Sequence, residues 1–333
     1  MPRRPPAVAR VLERVTATAR EHAMFPPGAR ILVAVSGGPD STCLLYSLHM
    51  VRRLFRIDLE VFHFDHRLRD DSGKDAAYVK RLASRLEVPF HLLVAETKPG
   101  RGESVELWAR AARYPAAIRR MLDVGAQRIA LGHTQDDQAE TVLMFALRGS
   151  GLSGIAGIRP SAGPLVRPLI DVRRFEVEAF VRALGLRPRL DSTNLDTALL
   201  RNAIRIEGIP ALERAVGRDV TGPLARTARL LRRDEDELER QTQSLFGALV
   251  AVEEDGCRLN VEGLAAVGPA LASRVVGRAL YGVGQPPREN SVWAILDLAK
   301  GRPGRRRDLG GGLIAARDKE YIRLSRTSPG GVP

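Results

Sequence analysis

Between residues 31 and 147, short apolar runs rich in β-branched residues alternate with longer amphipathic segments. The runs ILVAV, LEVFHF, FHLLVA and RIALG have the length of buried strands. The segments 41–51, 75–87, 103–122 and 134–147 repeat their apolar residues with a helical period. Strands that alternate with helices form parallel sheets covered on both faces. The pattern therefore predicts an α/β fold with a doubly wound, mostly parallel sheet, which binds ligands at the carboxyl ends of its strands.

The remainder of the chain divides into two further parts. Residues 219–252 have a helical pattern with a charged middle, RLLRRDEDELERQ, which predicts a connecting helix after a first domain at 1–218. Residues 253–333 contain helical segments and end in RRDLGGGLIAARDKEYIRLS. This second, smaller domain is predicted to be helical and to end in a short β-hairpin.

The chain has a large positive charge. Its 52 Lys and Arg residues against 39 Asp and Glu residues give a net charge of +13, which attracts polyanions such as nucleic acid. A basic, solvated surface without such a partner explains the charge equally well. No apolar run approaches the roughly 20 residues of a membrane span. Cys43 and Cys257 have no metal-like spacing, so we expect a cytoplasmic protein without membrane association.

The segment SGGPDS joins the first predicted strand to a helix and has the composition of a phosphate-binding loop. Glycines let the backbone approach a ligand closely, and the helix N-terminus presents free N–H groups to an anion. Asp40 could hold Mg²⁺ or orient the loop. The lysine of a Walker motif is absent, and the glycines alone would also suit a tight turn. The candidate phosphate-binding residues are Ser36, Gly37, Gly38, Pro39, Asp40 and Ser41.

A polar cluster follows the run RIALG. His133 and Asp137 are one helical turn apart. Asp136 and Glu140 have the same spacing, so a helix that begins near Thr134 places each pair on one face. Carboxylates at the carboxyl end of a strand suit a bound cation. The alternative is structural, because Thr134 and Asp137 also fit a capping box, which would leave Glu140 as a solvated residue.

Several basic residues are further candidates. Arg110 and Arg113 share one face of the predicted helix at 103–122, which suits either a solvent-facing surface or contact with developing negative charge on a phosphate. His63, at the end of the second strand, could fill the edge of the core or contact a nucleotide. The cluster Arg305, Arg306 and Arg307 suits nucleic-acid phosphates or a flexible basic loop.

Together these motifs resemble those of one family. SGGPDS resembles the loop of the pyrophosphatase-loop ATPases, which split ATP between the α- and β-phosphates. HFDHRLRDDSGKDAAYV, ESVELWARAARY and GHTQDDQAETVLMFALRGSGLSGIAG are similar to motifs of the tRNA(Ile)-lysidine synthetase family, as are RPLIDVRRFEVEAFVRALGL and DSTNLDTALLRNAIR. The resemblance is strong over residues 30–212 and weaker as far as residue 326.

The resemblance implies an adenine-nucleotide α-hydrolase-like fold and a ligase that uses ATP and Mg²⁺. Such an enzyme adenylates the wobble cytidine of the isoleucine tRNA with a CAU anticodon and releases pyrophosphate. Free L-lysine then displaces AMP and forms lysidine, which changes the codon and amino-acid identity of the tRNA. The loop needs no lysine because it holds the departing pyrophosphate. A homodimer is also implied.

The resemblance further implies roles for individual residues. The reacting centre would contain His133, Asp137, Arg113 and Arg205. The SGGPDS loop and His63 would bind ATP, with Asp40 and Asp137 as metal ligands. Lysine or tRNA would contact Asp136, Glu140, Arg201, Asn202, Arg305, Arg306 and Arg307.

The chain departs from the family pattern at a few positions. Asp65 and Arg67 stand where Asn and Gly are frequent, and Ala203 and Ile206 interrupt an Arg-Asn-Arg-Ile-Arg-His segment. Two alternatives within the same superfamily are a tRNA thiolase, which would use cysteine pairs that this chain lacks, and a small-molecule amidotransferase, which would share only the SGGPDS loop.

Overall fold

The computed structural model describes residues 4–68, 72–189 and 199–326. Parts of two motifs discussed above, residues 69–71 and 190–198, lie outside these ranges. The chain divides into two compact units, Met1–Arg232 and Arg233–Pro333, which are described separately. No helix within the described ranges is long and apolar enough to cross a membrane.

The first unit contains, within the described residues, a six-stranded sheet. Its strands are β1 (Arg30–Ala34), β2 (Asp58–Asp65), β3 (Phe90–Val94), β4 (Arg128–Ala130), β5 (Ser161–Ala162) and β6 (Leu165–Val166). Their order is β3-β2-β1-β4-β6-β5, and every pair is parallel except β5 with β6. The predicted mostly parallel sheet is confirmed.

Helices cover both faces of this sheet. The helices as far as residue 249 are α1 (Pro6–Glu21), α2 (Pro39–Phe55), α3 (Ser72–Arg85), α4 (Val105–Asp123), α5 (Gln135–Leu147), α6 (Leu152–Ile155), α7 (Arg174–Ala183), α8 (Leu200–Ala203), α9 (Ile209–Val216) and α10 (Thr221–Leu249), with a π-helical turn at Ile204–Gly208. Side chains alternate along β1, so Ile31 and Val33 join the core under α1, α2, α3 and α7. Leu32 faces the opposite core, which α4 covers. Burial on both faces explains why these strands are continuous apolar runs.

Two details of the first unit differ from expectation. The helix α1 was not predicted, although Pro6 at its start and the buried face formed by Val8, Val11 and Val15 are typical of an amphipathic helix. A proline inside a helix, such as Pro115, favours a kink or a break, but α4 continues through it without a break in its range.

The order of the strands indicates where this sheet would bind a ligand. From β1 the chain passes to β2 and β3 on one side, and then to β4 on the other side of β1. The carboxyl ends of β1 and β4 therefore flank a topological switch point, where open α/β sheets bind their ligands. The SGGPDS loop follows β1, and the His133–Glu140 segment follows β4.

The second unit combines helices with a sheet that is larger than predicted. The elements after α10 are β7 (Val250–Glu253), β8 (Gly256–Asn260), α11 (Val261–Ala266), α12 (Pro269–Gly282), α13 (Glu289–Lys300), β9 (Arg306–Asp308), β10 (Leu313–Arg317) and β11 (Tyr321–Arg326). Among the described residues the strands form a five-stranded antiparallel sheet in the order β7-β8-β11-β10-β9. The α/β fold with a smaller second unit is confirmed, with β7 and β8 added to the expected hairpin.

The predicted connecting helix at 219–252 is too long at its end. Residues 250–252 belong to β7, because they pair with β8 and so satisfy their backbone groups in the sheet. The division of the chain into two units falls within α10, between Arg232 and Arg233. The domain limits at 218 and 252 remain a prediction.

Candidate active site

The SGGPDS loop is held in shape by Ser41 at the start of α2. Its hydroxyl accepts hydrogen bonds from the backbone N–H groups of Ser36 at 3.1 Å and Gly37 at 3.2 Å. It also donates to the backbone oxygen of Gly38 at 3.2 Å. Gly37 has a φ of 100°, a conformation that only glycine adopts without strain. Ser41 thus fixes the conformation of the loop, and its direct contact with a phosphate stays a prediction.

The end of β4 lies directly against this loop. A Cβ atom at Gly132 would lie 3.2 Å from the backbone carbon of Asp40 and 3.2 Å from the backbone nitrogen of Ser41. A side chain at this position would require the neighbouring backbone to shift by a few tenths of an ångström. The backbone after β4 therefore brings the N-terminus of α5 beside the N-terminus of α2.

Asp137 uses its two carboxylate oxygens differently. Its Oδ2 accepts hydrogen bonds from the backbone N–H of Thr134 at 2.7 Å and from the Thr134 hydroxyl at 2.8 Å, which completes the predicted capping box of α5. Its Oδ1 accepts from Arg201 at 2.9 Å and lies 3.5 Å from Arg174. The structural alternative for Asp137 is thus confirmed, and the same residue also pairs with buried cations.

Glu140 is not solvated. It is 2% exposed and accepts hydrogen bonds from Arg174 at 3.0 Å and from Arg201 at 2.9 Å. Asp136 accepts a hydrogen bond from the backbone N–H of Arg174 at 2.7 Å. The alternative of a solvated Glu140 is wrong, because its carboxylate is buried and paired with two guanidinium groups. The three carboxylates form one cluster, as the spacing of the sequence predicts.

Arg174, the first residue of α7, is the residue of this cluster that sequence reasoning missed. Its guanidinium lies between the carboxylates of Asp137 and Glu140, and together with Asp40 and Asp136 they raise the pKa of Arg174 although burial lowers it. A signal was present. Arginine in the first turn of a helix opposes the helix dipole, so its position before FEVEAF indicated an anionic partner elsewhere.

One carboxylate oxygen of Asp40 lacks a hydrogen-bond partner within the described part of the chain. Its Oδ1 is buried and accepts no hydrogen bond from the described residues. Burial, with the nearby charge of Asp137, raises the pKa of Asp40 to about 7, against the lowering effect of Arg174 and Arg205. An unpartnered carboxylate oxygen suits a hard cation such as Mg²⁺, which is held by one or two carboxylates together with substrate phosphates. Asp137, by contrast, already has partners on both oxygens.

Nearby cations lower the pKa values of both His133 and Asp137. Burial and the cations Arg167, Arg201 and Arg113 lower the pKa of His133 to about 4, although Asp137 acts in the opposite direction. Burial raises the pKa of Asp137, but Arg201, His133 and Arg174 outweigh it, so its pKa lies below the usual value. At neutral pH the structure therefore combines a neutral imidazole with an ionised carboxylate.

The residues predicted on the nucleotide side lie at the ends of β1 and β2 and on α4. His63 is 4% exposed, and its Nδ1 donates to the backbone oxygen of Val35 at 2.7 Å, because a carbonyl oxygen can only accept. Arg113 lies over the ring of Tyr114, with 5.8 Å from Cζ to the ring centroid, and burial lowers the pKa of Arg113. Within the described part of the chain, no carboxylate forms an ion pair with Arg113.

The other predicted residues occupy two separate places. Asn202 lies in α8 and Arg205 in the π-helical turn, and the charge of Arg205 acts on Asp40. Arg306 and Arg307 lie in β9, an exposed edge strand of the second unit, and the exposed Arg305 precedes it. The structure thus brings Arg201 and Arg205 to the crevice of the first unit, and it places the three arginines in the second unit.

Comparison with known proteins shows which family this chain matches. The PP-loop domain family matches residues 9–212. A tRNA(Ile)-lysidine synthase of Symbiobacterium thermophilum is 41% identical over 313 residues, which cover 87% of this chain and 63% of that protein. One of Solibacter usitatus is 39% identical over 311 residues, which cover 90% and 68%. One of Caldanaerobacter subterraneus is 34% identical over 275 residues, which cover 81% and 59%.

A solved structure shows the same fold at low sequence identity. The U34-tRNA thiolase NcsA of Methanococcus maripaludis, solved with its 4Fe-4S cluster, has a TM-score of 0.56 at 16% identity and covers 68% of this chain and 80% of that one. Among the synthases, the chain spans between 59% and 63% of the length of three relatives. Its SGGPDS loop, its acidic cluster and these matches agree: the chain belongs to the PP-loop domain family and, within it, to the tRNA(Ile)-lysidine synthases.

Proposed function

We propose that the chain ligates free L-lysine to the wobble cytidine of the isoleucine tRNA with a CAU anticodon, with cleavage of ATP to AMP and pyrophosphate. One observation supports this most. A loop suited to a leaving pyrophosphate and a buried carboxylate cluster suited to an ammonium ion meet at the switch point between β1 and β4.

The proposed role of the SGGPDS loop is to hold the pyrophosphate. The free N–H groups at the start of α2, with the helix dipole, favour an anion there. The loop contains no cation of its own, so Arg113 and Arg205 would stabilise the charge that develops on the α-phosphate during adenylation. Mg²⁺, when bound, would neutralise phosphate charge. The open oxygen of Asp40 is its best candidate ligand, and Asp137 could join only after Arg201 withdraws.

The carboxylate cluster is the proposed site for the ε-ammonium group of lysine. Glu140 is buried, Asp137 is largely buried, and each already binds two guanidinium groups. An ammonium ion would compete with Arg201 for both carboxylates, so lysine binding and the position of Arg201 are expected to be coupled. Asp136 lies beside the same pair and completes the acidic surface.

The tRNA is proposed to contact both units. Arg201, Asn202 and Arg205 would contact the substrate near the reacting base. The exposed arginines 305–307 would bind backbone phosphates, since charge and not stacking dominates such contacts. The target base lies in an anticodon loop, where it is already unpaired, so extrusion into the site costs little. We further propose a cytoplasmic homodimer.

The experiment is lysine incorporation into competing tRNAs. Labelled lysine, ATP and the protein are incubated with the isoleucine tRNA or with methionine tRNA, which has the same anticodon. We expect ATP-dependent incorporation that is at least tenfold faster with the isoleucine tRNA. Absence of incorporation, or equal rates with both tRNAs, would contradict the proposal. A thiolase activity has no supporting observation in this chain.

A further inference from the structure

Arg167, which directly follows β6, contacts His133 and was in none of the predicted site sets. Its Nε donates a hydrogen bond to Nδ1 of His133 at 3.2 Å, and its Nη1 donates to the backbone oxygen of Arg159 at 2.6 Å. Arg167 is only 6% exposed. The polar contact with His133 therefore lies inside the protein, at the carboxyl end of β4.

The chemistry of the two groups fixes the direction of this hydrogen bond. A guanidinium has only N–H donors and no acceptor, and it stays protonated even though burial lowers the pKa of Arg167. Nδ1 of His133 must therefore be the acceptor, which requires a lone pair and excludes a proton there. The imidazole is then neutral, with its proton on Nε2.

We propose that Arg167 is a positioning residue that fixes His133 as the Nε2–H tautomer, so that His133 donates a hydrogen bond to an anionic oxygen of the bound nucleotide and does not act as a base. The inference deepens the proposed function, on which the identity of that oxygen rests. The tautomer itself does not depend on it.

The hydrogen bond at Nδ1 of His133 has the opposite direction to the one found in sites where histidine acts as a base. In such sites a carboxylate accepts a hydrogen bond from Nδ1–H and leaves Nε2 free to take a proton. Here a cation donates to Nδ1, which leaves Nε2 as the donor. The other charged groups that face His133 are Asp137, Arg201 and Arg113, so cations dominate its surroundings.

Arg167 is also a buried charge without a neutralising carboxylate among the described residues. Its hydrogen-bond partners are a ring nitrogen, a backbone oxygen and the side chain of Tyr114, and the nearby Arg110 is a second cation. Burial of an unpaired ion costs several kcal/mol. Arg113 has the same property on the neighbouring helix α4. Two arginines near His133, without carboxylate partners in the described ranges, suit a site that receives an anion. An anionic oxygen would also accept the hydrogen bond that Nε2–H donates.

The test is ¹⁵N NMR of the full chain with labelled histidine, in which His133→Gln identifies the signals of His133. We expect an unprotonated Nδ1 and a protonated Nε2 at pH 7 in the wild type. Arg167→Met should abolish this single tautomer, Arg167→Lys should retain part of it, and Arg119→Met on the exposed face of α4 should leave it unchanged. In the lysine-incorporation assay, Arg167→Met should lower kcat at least tenfold and change the KM for lysine less than threefold.

Three outcomes would overturn the proposal: a proton on Nδ1 in the wild type, an unchanged tautomer in folded Arg167→Met, or wild-type kcat in that variant. The wild-type spectrum decides the question even if Arg167→Met does not fold. A wild type with the expected tautomer that forms no lysidine would contradict the proposed function and leave the tautomer assignment intact.

Discussion

At the scale of single residues, Asp137 shows how one carboxylate can be structural and functional together. Oδ2 caps α5 through Thr134, and Oδ1 pairs with Arg201. Removal of the whole side chain would confuse the two roles. The amide of asparagine retains an acceptor for the cap and loses the negative charge.

We therefore expect Asp137→Asn to lower kcat/KM for lysine at least 100-fold, with a loss of about 1–3 kcal/mol in the free energy of unfolding. The matched control is Thr134→Ala, which removes the capping hydroxyl but leaves the charge. It should cost about 1 kcal/mol and retain most activity. Lysine-incorporation kinetics and urea unfolding measure both quantities. If Asp137→Asn kept wild-type kinetics, Asp137 would be only a helix cap.

Asp40 predicts a pH dependence of stability. Burial holds its pKa at about 7 in the folded protein, above the ordinary value of 3.8 for an aspartate. Between about pH 4 and 7 the folded state binds a proton that the unfolded state has released, so this group loses its stabilising contribution as pH rises through that window. Asp40→Asn should therefore be more stable than the wild type at pH 8, by about 1–4 kcal/mol, with a much smaller difference near pH 4. Urea unfolding at several pH values measures this, and parallel pH profiles would contradict it.

At the scale of elements, the sequence predicts best where one segment determines its own structure. The strands β1 and β2 are apolar runs because both faces are buried, and the start of α5 has its own capping residues. The pairing of Arg174 and Arg201 with the acidic cluster could not be predicted, because it joins elements that are distant in the chain. β7 was missed for the same reason, since it is a strand only through its pairing with β8.

A substitution at Gly132 tests whether ATP binding depends on the close approach of the chain after β4 to the SGGPDS loop. Gly132→Ala places a Cβ 3.2 Å from backbone atoms of Asp40 and Ser41, which cannot rotate away. We expect the KM for ATP to rise at least tenfold. The control is Gly73→Ala in α3, where a Cβ meets nothing within 4 Å and where alanine should stabilise the helix by roughly 0.5–1 kcal/mol. Equal ATP kinetics in the two variants would show that the loop tolerates displacement.

The edge strand β9 and the preceding residue supply the arginines proposed to bind tRNA. Replacement of Arg305, Arg306 and Arg307 by Gln should weaken tRNA binding and reduce the slope of log Kd against log salt by up to about 3. The control replaces three exposed arginines of the first unit, Arg10, Arg20 and Arg53, with the same loss of charge. Filter binding across a salt series measures both. An equal effect in the control would mean that total charge, and not β9, determines affinity.

At the scale of the whole molecule, the net charge of +13 includes both paired and exposed arginines. Part of it lies in the crevice of the first unit, where Arg174 and Arg201 form ion pairs with carboxylates. Composition alone predicts a polyanion partner but cannot separate these arginines from the exposed ones, because only the folded chain shows which cations are paired.

The proposed function depends most on the SGGPDS loop, which we infer holds pyrophosphate as the leaving group. The most direct measurement is the fate of ATP labelled at the α- or the γ-phosphate over many turnovers, with lysine and the CAU-anticodon tRNA supplied separately and together. We expect AMP and pyrophosphate in equal amounts, at a sustained rate only when both substrates are present. Formation of ADP, or ATP cleavage that ignores lysine and tRNA, would contradict it.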